Sequence, residues 1–241
     1  NDNLTARIEL RPFGSYSVYT GYSLVNDSEG KSDKVVFGQN YQVTKDFGIY
    51  SEHQLLKDPD ARSTIEAYGI SYKVKDNYTL GIAYQQGVVN ENAGESYKRR
   101  AVSLSSSYDK SKFKLTNKFE YRIDNKSSLN EETYVTTNGF SVRLTDSLRG
   151  LANFDYSISR DRETDETIER YSEANVGFAF RPVTNNRLAI LGRYRNIQQE
   201  DKTSRTNVTD QKKEIFEAEV NYKLSNKWSI GGRIAYKDAQ E

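Results

Sequence analysis

The sequence contains no cysteine and no methionine, only three prolines, and one histidine among its 241 residues. Without cysteine, disulfides and thiolate metal sites are excluded. With His53 as the only histidine, a histidine-rich metal centre is excluded too, and a Ser-His-Asp hydrolase would have to be built around that one residue. No stretch approaches the ~20 apolar residues of a membrane-spanning helix, and the mean hydropathy is -0.84. An excess of one charge is missing as well. The 35 basic and 34 acidic side chains leave a net charge of +1, which makes no general case for nucleic-acid binding, since that needs a concentrated basic face. The lack of methionine extends to position 1 and no signal-peptide pattern opens the chain, so it reads as a processed protein or an excised segment.

What is present is aromatic side chains and a beat. Eighteen tyrosines and ten phenylalanines argue against disorder, because disordered segments lack aromatics. Tight polar turns recur along the chain: Pro12-Phe13-Gly14, Lys45-Asp46-Phe47-Gly48, Lys75-Asp76-Asn77, Asp109-Lys110-Ser111-Lys112, Thr145-Asp146-Ser147, Thr184-Asn185-Asn186 and Ser225-Asn226-Lys227. Their spacing of ~30–40 residues is close to that of a two-strand repeat in a barrel meander. Longer, charged loops are expected between successive turns. The intervening segments alternate apolar and polar residues with the period of a strand. They fall at 4–11, 15–26, 34–44, 48–57, 62–74, 78–89, 97–108, 112–123, 133–144, 149–160, 168–181, 187–198, 211–224 and 228–239.

Several segments sort their two faces cleanly. In 112–123, Phe113, Leu115, Phe119, Tyr121 and Ile123 oppose Lys114, Thr116, Lys118, Glu120 and Arg122; in 211–224, Phe216, Ala218, Val220, Tyr222 and Leu224 oppose Glu217, Glu219, Asn221 and Lys223. Segment 48–57 is the exception, with neither of its sets clearly apolar. A strand that shows an apolar solvent only alternate residues keeps a low mean hydropathy, so pattern outweighs mean here. The expected fold class is all-β: an antiparallel up-and-down transmembrane β-barrel of about fourteen strands, with 1–241 as a single domain.

Energetics assign the faces. A lysine or arginine against lipid at the midplane costs ~2–4 kcal/mol in such a barrel, so the charged face must line a wet lumen. The expected lumen residues are Arg7, Glu9, Arg11, Lys114, Lys118, Glu120, Arg122, Arg143, Asp155, Glu173, Arg193, Arg195, Glu217, Glu219 and Arg233, with Arg181, Lys223 and Lys237 adding to a basic excess. On the apolar face beside the tight turns lie Tyr16, Tyr41, Tyr72, Tyr78, Tyr108, Phe113, Phe180, Tyr222 and Trp228. Toward the opposite strand ends lie Tyr22, Tyr84, Tyr121, Tyr134, Tyr156, Tyr194 and Tyr236. Two such rings are the expected membrane-interface girdles.

Certain phrases carry a resemblance. Tyr41-Gln42-Val43-Thr44-Lys45-Asp46, Tyr72-Lys73-Val74-Lys75-Asp76-Asn77 and Tyr222-Lys223-Leu224-Ser225-Asn226-Lys227-Trp228 resemble strand–turn units of bacterial outer-membrane β-barrels of the porin type, especially the fourteen-stranded monomeric outer membrane protein G kind. Gly177-Phe178-Ala179-Phe180-Arg181-Pro182-Val183 and Trp228-Ser229-Ile230-Gly231-Gly232-Arg233-Ile234-Ala235-Tyr236 are more narrowly similar to the C-terminal barrels of large multidomain bacterial surface proteins. The first resemblance implies a porin or channel in a Gram-negative outer membrane, amid outer-membrane lipid and lipopolysaccharide, passing small solutes. The second implies a protein partner or additional barrel strands. It accords with a topological expectation: with tight turns in the periplasm, both termini lie on the loop side, so the chain reads as a piece of a larger barrel, the alternatives being a permuted or engineered barrel or a miscounted first strand.

Chemistry-bearing alternatives are weak. His53 lies on the least regular segment with no recognisable serine motif beside it, and reads as a strand polar residue. The acidic groups Asp27, Glu29, Asp33 and Asp161, Glu163, Asp165, Glu166 lack the EF-hand spacing and read as solvated loops. No catalytic residue, metal or cofactor is expected, and no enzyme. The leading expectation is a passive pore whose basic-leaning lumen favours anions; the equal alternative for those charges is that they pair across strands and stiffen the wall, with no transport role. The rivals are a structural anchor barrel without transport and a soluble β-sandwich.

Overall fold

The computed structural model describes residues 2–27, 30–59, 61–92, 94–127, 129–183, 185, 187–204, 207–225 and 228–240. The turn residues Thr184, Asn186, Asn226 and Lys227, and the acid Glu29, lie outside the described residues, as does the side chain of Asp27. Fourteen strands follow in chain order: β1 (Asp2–Phe13), β2 (Tyr16–Asp27), β3 (Gly30–Gln42), β4 (Phe47–Lys57), β5 (Ala61–Lys75), β6 (Tyr78–Glu91), β7 (Ser96–Lys110), β8 (Phe113–Asn125), β9 (Asn130–Arg143), β10 (Leu148–Asp161), β11 (Thr167–Phe180), β12 (Leu188–Ser204), β13 (Asn207–Lys223) and β14 (Ser229–Gln240). They hydrogen-bond in the order β1 through β14, each to its sequence neighbour. This is the up-and-down antiparallel meander that the turn spacing calls for.

One expectation needs correction. The connections opposite the tight turns are not long loops. They span only 28–29, 58–60, 92–95, 126–129, 162–166 and 205–206, whereas the longest connection, 181–187, is at the tight-turn end. The charged segments assigned to loops instead continue the ladder. In the β12–β13 hairpin, pairing runs past Glu200↔Asp210 to Ser204↔Asn207. A strand needs only its backbone partners to persist, because the ladder bonds join backbone groups whatever side chains they carry. Loop length therefore gives this chain no orientation in a membrane, and the argument placing both termini on a long-loop side loses its basis.

Two compact units divide the contacts. The first comprises Asn1–Ser106, Glu120–Thr133 and Asp161–Asp165. Its registers place Glu9, Tyr19, Gly38, Glu52, Ala67 and Gln85 in one cross-strand row on one face, and Ile8, Thr20, Phe37, His53, Glu66 and Gln86 in the adjacent row on the other. The ambiguous fourth strand is thereby settled: Tyr50, Glu52 and Gln54 join the polar face, while Ile49, His53 and Leu55 join the apolar one. Two glycines accommodate aromatic rings there. A Cβ on Gly38 would stand 2.3 Å from the Tyr19 ring, and a Cβ on Gly69 would stand 2.3 Å from that of Tyr50. In both cases the ring's residue is the direct register partner of the glycine.

The second unit comprises Ser107–Phe119, Tyr134–Arg160 and Glu166–Glu241. Its polar row contains Leu151, Gly177, Arg193, Glu217 and Ala235, and its apolar row contains Ala152, Val176, Tyr194, Phe216 and Tyr236. Ring contacts run along this apolar face, with centroids 4.7 Å apart for Tyr194–Phe216 and 6.5 Å for Phe216–Tyr236. At the turn end Phe113 contacts Tyr108 at 5.0 Å and Phe140 at 5.9 Å.

Candidate functional site: a charged face backed by an apolar one

Burial is inverted relative to a protein built for water. Leu104 is 53% exposed, Ile82 50% and Phe119 48%, whereas Glu120 and Asp124 are each 4% exposed, on a sheltered face they share with Ala67, Ala83 and Ala101. Scattered exposed apolar residues are ordinary, but here they occupy the same face of strand after strand. The aromatics continue it at the turn end. Tyr16 is opposite Tyr41, Tyr72 is opposite Leu80 with Tyr78 two residues further on that face, Phe180 is opposite Leu148, and Tyr222 is opposite Ile230, with the exposed Trp228 just before β14.

The other face holds ion pairs. In the first unit, Glu9 accepts from Arg11 Nε at 2.9 Å and lies 3.7 Å from Arg7, whose guanidinium stacks 4.0 Å over the Tyr19 ring. The Tyr19 hydroxyl donates to Glu52, which also accepts from Gln54 at 2.7 Å. Arg99 holds Asp124 through two hydrogen bonds of 2.8 and 2.7 Å, a fork geometry that makes a charge-assisted pair directional. Arg122 reaches Glu120 at 2.6 Å. In the second unit, Glu217 lies between two guanidiniums, Arg193 and Arg233, with Arg233 Nε at 2.8 Å. Glu173 accepts from Arg195 at 3.2 Å and from the Tyr171 hydroxyl at 2.7 Å. Asp155 is the register partner of Glu173, and one of its carboxylate oxygens is buried without a hydrogen bond among the described residues.

Sequence reasoning named most of these groups but missed Glu52, Arg99 and Asp124. Glu52 was hidden by the irregular alternation of its strand. Arg99 and Asp124 lie at strand ends, where alternation runs out. Of the expected lumen residues, Lys114 lies 3.7 Å from Asp109. Arg143 lines a cavity with Arg149, Arg181 and Glu219 at the turn end of the second unit. The basic excess read from the sequence is therefore largely taken up in pairs, which shortens its list of unpaired cations.

At the far end of the first unit, Lys126 in the β8–β9 connection lies 3.4 Å from Glu131, 3.7 Å from Glu91 and 5.1 Å from the Tyr97 ring centre. Burial alone would lower its pKa, but Glu131, Tyr97 and Glu91 together raise it above the ordinary lysine value. His53 lies between Phe37 and Glu66 in register, and the described residues contain no group of three or more metal-ligating side chains. Asp161 is engaged in its own loop, accepting from the Glu163 backbone at 2.9 Å and from the Thr164 hydroxyl at 3.0 Å.

No family model matches the chain, and no curated protein matches it. Solved structures do. The outer membrane channel DcaP of Acinetobacter baumannii is similar with a TM-score of 0.59 at 11% identity, over 98% of this chain and 84% of that one. OmpT, an outer membrane protein of Vibrio cholerae, gives a TM-score of 0.59 at 8% identity, over 97% of this chain and 89% of that one. The anion-selective porin from Comamonas acidovorans gives 0.54 at 10% identity, over 97% and 89%. At such identities the likeness is one of fold, and the fold is that of bacterial outer-membrane β-barrels.

Proposed function

We propose that residues 1–241 form a transmembrane β-barrel domain of a Gram-negative outer membrane, a non-enzymatic channel that passes small hydrophilic solutes and favours anions. The observation that carries this reading is the inverted burial: aliphatic and aromatic side chains exposed along one face, and the carboxylates Glu120, Asp124 and Glu217 buried on the other. Only a hydrocarbon surround makes that arrangement favourable strand after strand. The polar face then lines water, where Arg7 and Arg11 share the one carboxylate of Glu9 and Arg193 and Arg233 share that of Glu217, leaving, with Arg143, a positive balance that would concentrate anions in a low-dielectric wall. The aromatic rows at the strand ends serve as interface girdles. The fold of the neighbouring channels supports the general role, and the name of the Comamonas porin states anion selectivity for that protein.

The test is a planar-bilayer recording under a salt gradient. Discrete conductance with a reversal potential of anionic sign is expected. A non-conducting barrel, or cation preference, refutes the transport reading. One observation favours a second reading, an anchor barrel within a larger surface protein: β14 ends the hydrogen-bonded order and is exposed along its whole described length. Such an edge is a template for further strands. Absence of conductance together with co-purifying protein would select it.

A further inference from the structure

On the apolar face of the first unit, the end of the sheet opposite the tight turns carries cations that the channel reading does not use. Lys57, the last residue of β4, is the direct register partner of Arg62 on β5. Like charges placed opposite one another in an antiparallel pair are destabilising unless something lies between them. On β7, Lys98 and Arg100 project from the same face two residues apart, both exposed, while Tyr97 and Ala101 on the opposite face are buried. Among the described residues none of these four cations makes an ion pair or hydrogen bond with its side chain.

Among the described residues two acids lie near these cations: Asp58, exposed beside Lys57 and without an ion pair, and Glu66, which lines the groove next to Lys98 and Arg100 and is engaged elsewhere. Glu66 accepts from Gln86 at 3.1 Å and from the Tyr68 hydroxyl at 3.3 Å. Thr64, Glu66, Gln86, Val88, Lys98 and Arg100 line one groove of about 360 Å³. Immediately toward the turn end, the same face turns apolar, with Tyr68, Tyr84 and Val102 all exposed. Cations held without counter-ions at the edge of an apolar band sit where a membrane presents its phosphates. A basic residue near an anionic lipid surface gains on the order of a kilocalorie from it.

We infer that Lys98 and Arg100, which line this groove, bind the phosphate groups of anionic lipid headgroups in the leaflet at this end of the sheet, with the opposed Lys57 and Arg62 on β4 and β5 adding positive charge at the same end. The inference rests on the outward face meeting lipid, as proposed above, and not on whether the barrel conducts. The occupant is a lipid and not a free anion because the groove opens onto the apolar band: an acyl chain continues along Val102 and Tyr84 while its phosphate meets the guanidinium and ammonium groups.

The experiment is native mass spectrometry of the full chain released from micelles doped with phosphatidylglycerol or with phosphatidylcholine. Phosphatidylglycerol adducts should predominate. Neutralising one cation should weaken them about fivefold, and Lys98→Gln with Arg100→Gln about thirtyfold. Lys57→Gln with Arg62→Gln provides an independent pair should the first variant fail to fold, and heat-modifiable gel migration reports folding for each. Lys114→Gln, on the opposite face, should leave binding unchanged. Equal binding of the two lipids, equal loss in the Lys114→Gln control, or displacement of the lipid by millimolar inorganic phosphate overturns the inference. A chain that stays folded and soluble without detergent overturns the membrane reading itself, so the two failures are distinguishable.

Discussion

Replacing Leu104 by arginine tests the face assignment most directly. Leu104 lies on β7 with Val102 and Tyr108 on the same face, and it is 53% exposed. Tyr108, at the turn-end girdle, is four positions on, ~13 Å along the strand, or ~10 Å of depth at a ~40° tilt. That is near the middle of an apolar band ~25 Å tall. An arginine there should destabilise the folded state by ~2–4 kcal/mol, a factor of about 30 to 1,000 in the folded-to-unfolded ratio. The assay is reversible denaturant unfolding in lipid vesicles, followed by heat-modifiable migration. Gln85→Lys provides the contrast, because Gln85 is opposite Ala67 on the polar face. Its cost should stay within ~0.5 kcal/mol, as for an ordinary wet position. In a water-soluble sandwich the exposed Leu104 would accept arginine without loss. A stable Leu104→Arg barrel, or a Gln85→Lys variant equally damaged, would refute the assignment of faces.

Other consequences follow from the polar face and its packing. Glu217→Gln removes the carboxylate between Arg193 and Arg233, and should raise the anion-to-cation permeability ratio roughly two- to fivefold in bilayer recordings; an unchanged ratio would place the triad outside the conduction path. Gly38→Ala should cost ~1–3 kcal/mol, since its new methyl meets the Tyr19 ring, and the double variant with Tyr19→Ala should recover part of that loss in the same unfolding assay. The raised pKa of Lys126 contributes stability that is fully present below the ordinary lysine value and is lost as pH climbs through the higher folded-state value. Its partners are partly solvated, so the contribution should stay below about 1 kcal/mol. Glu131→Gln should move the alkaline loss of stability to lower pH in a pH-dependent melting series.

Strand number, strand order and the polar or apolar character of most faces were legible in the chain. The reason is that each strand must sort its own residues locally, and alternation records that sorting whatever the neighbours do. Legibility failed where local pattern stops being informative. Segment 48–57 showed no clean face, because Ser51 and His53 stand on the apolar side and Tyr50 on the polar one. Its faces are set instead by registers with β3 and β5. Charged stretches such as 199–210 looked like loops, yet a ladder runs through them, because backbone pairing persists where side-chain hydrophobicity does not.

The charges divide in the same way. The sequence by itself determined which of them share a face: period-two alternation puts Arg193, Glu217 and Arg233 on one side without any knowledge of pairing. Only the tertiary structure decided which of them neutralise one another, since Glu217 meets both arginines across two strand boundaries, at positions set by register. It also decided that Lys57 and Arg62 stand directly opposed. Composition counts charges and alternation sorts them. Electrostatic energy falls with distance, and distances between residues remote in the chain exist only once the strands are in register.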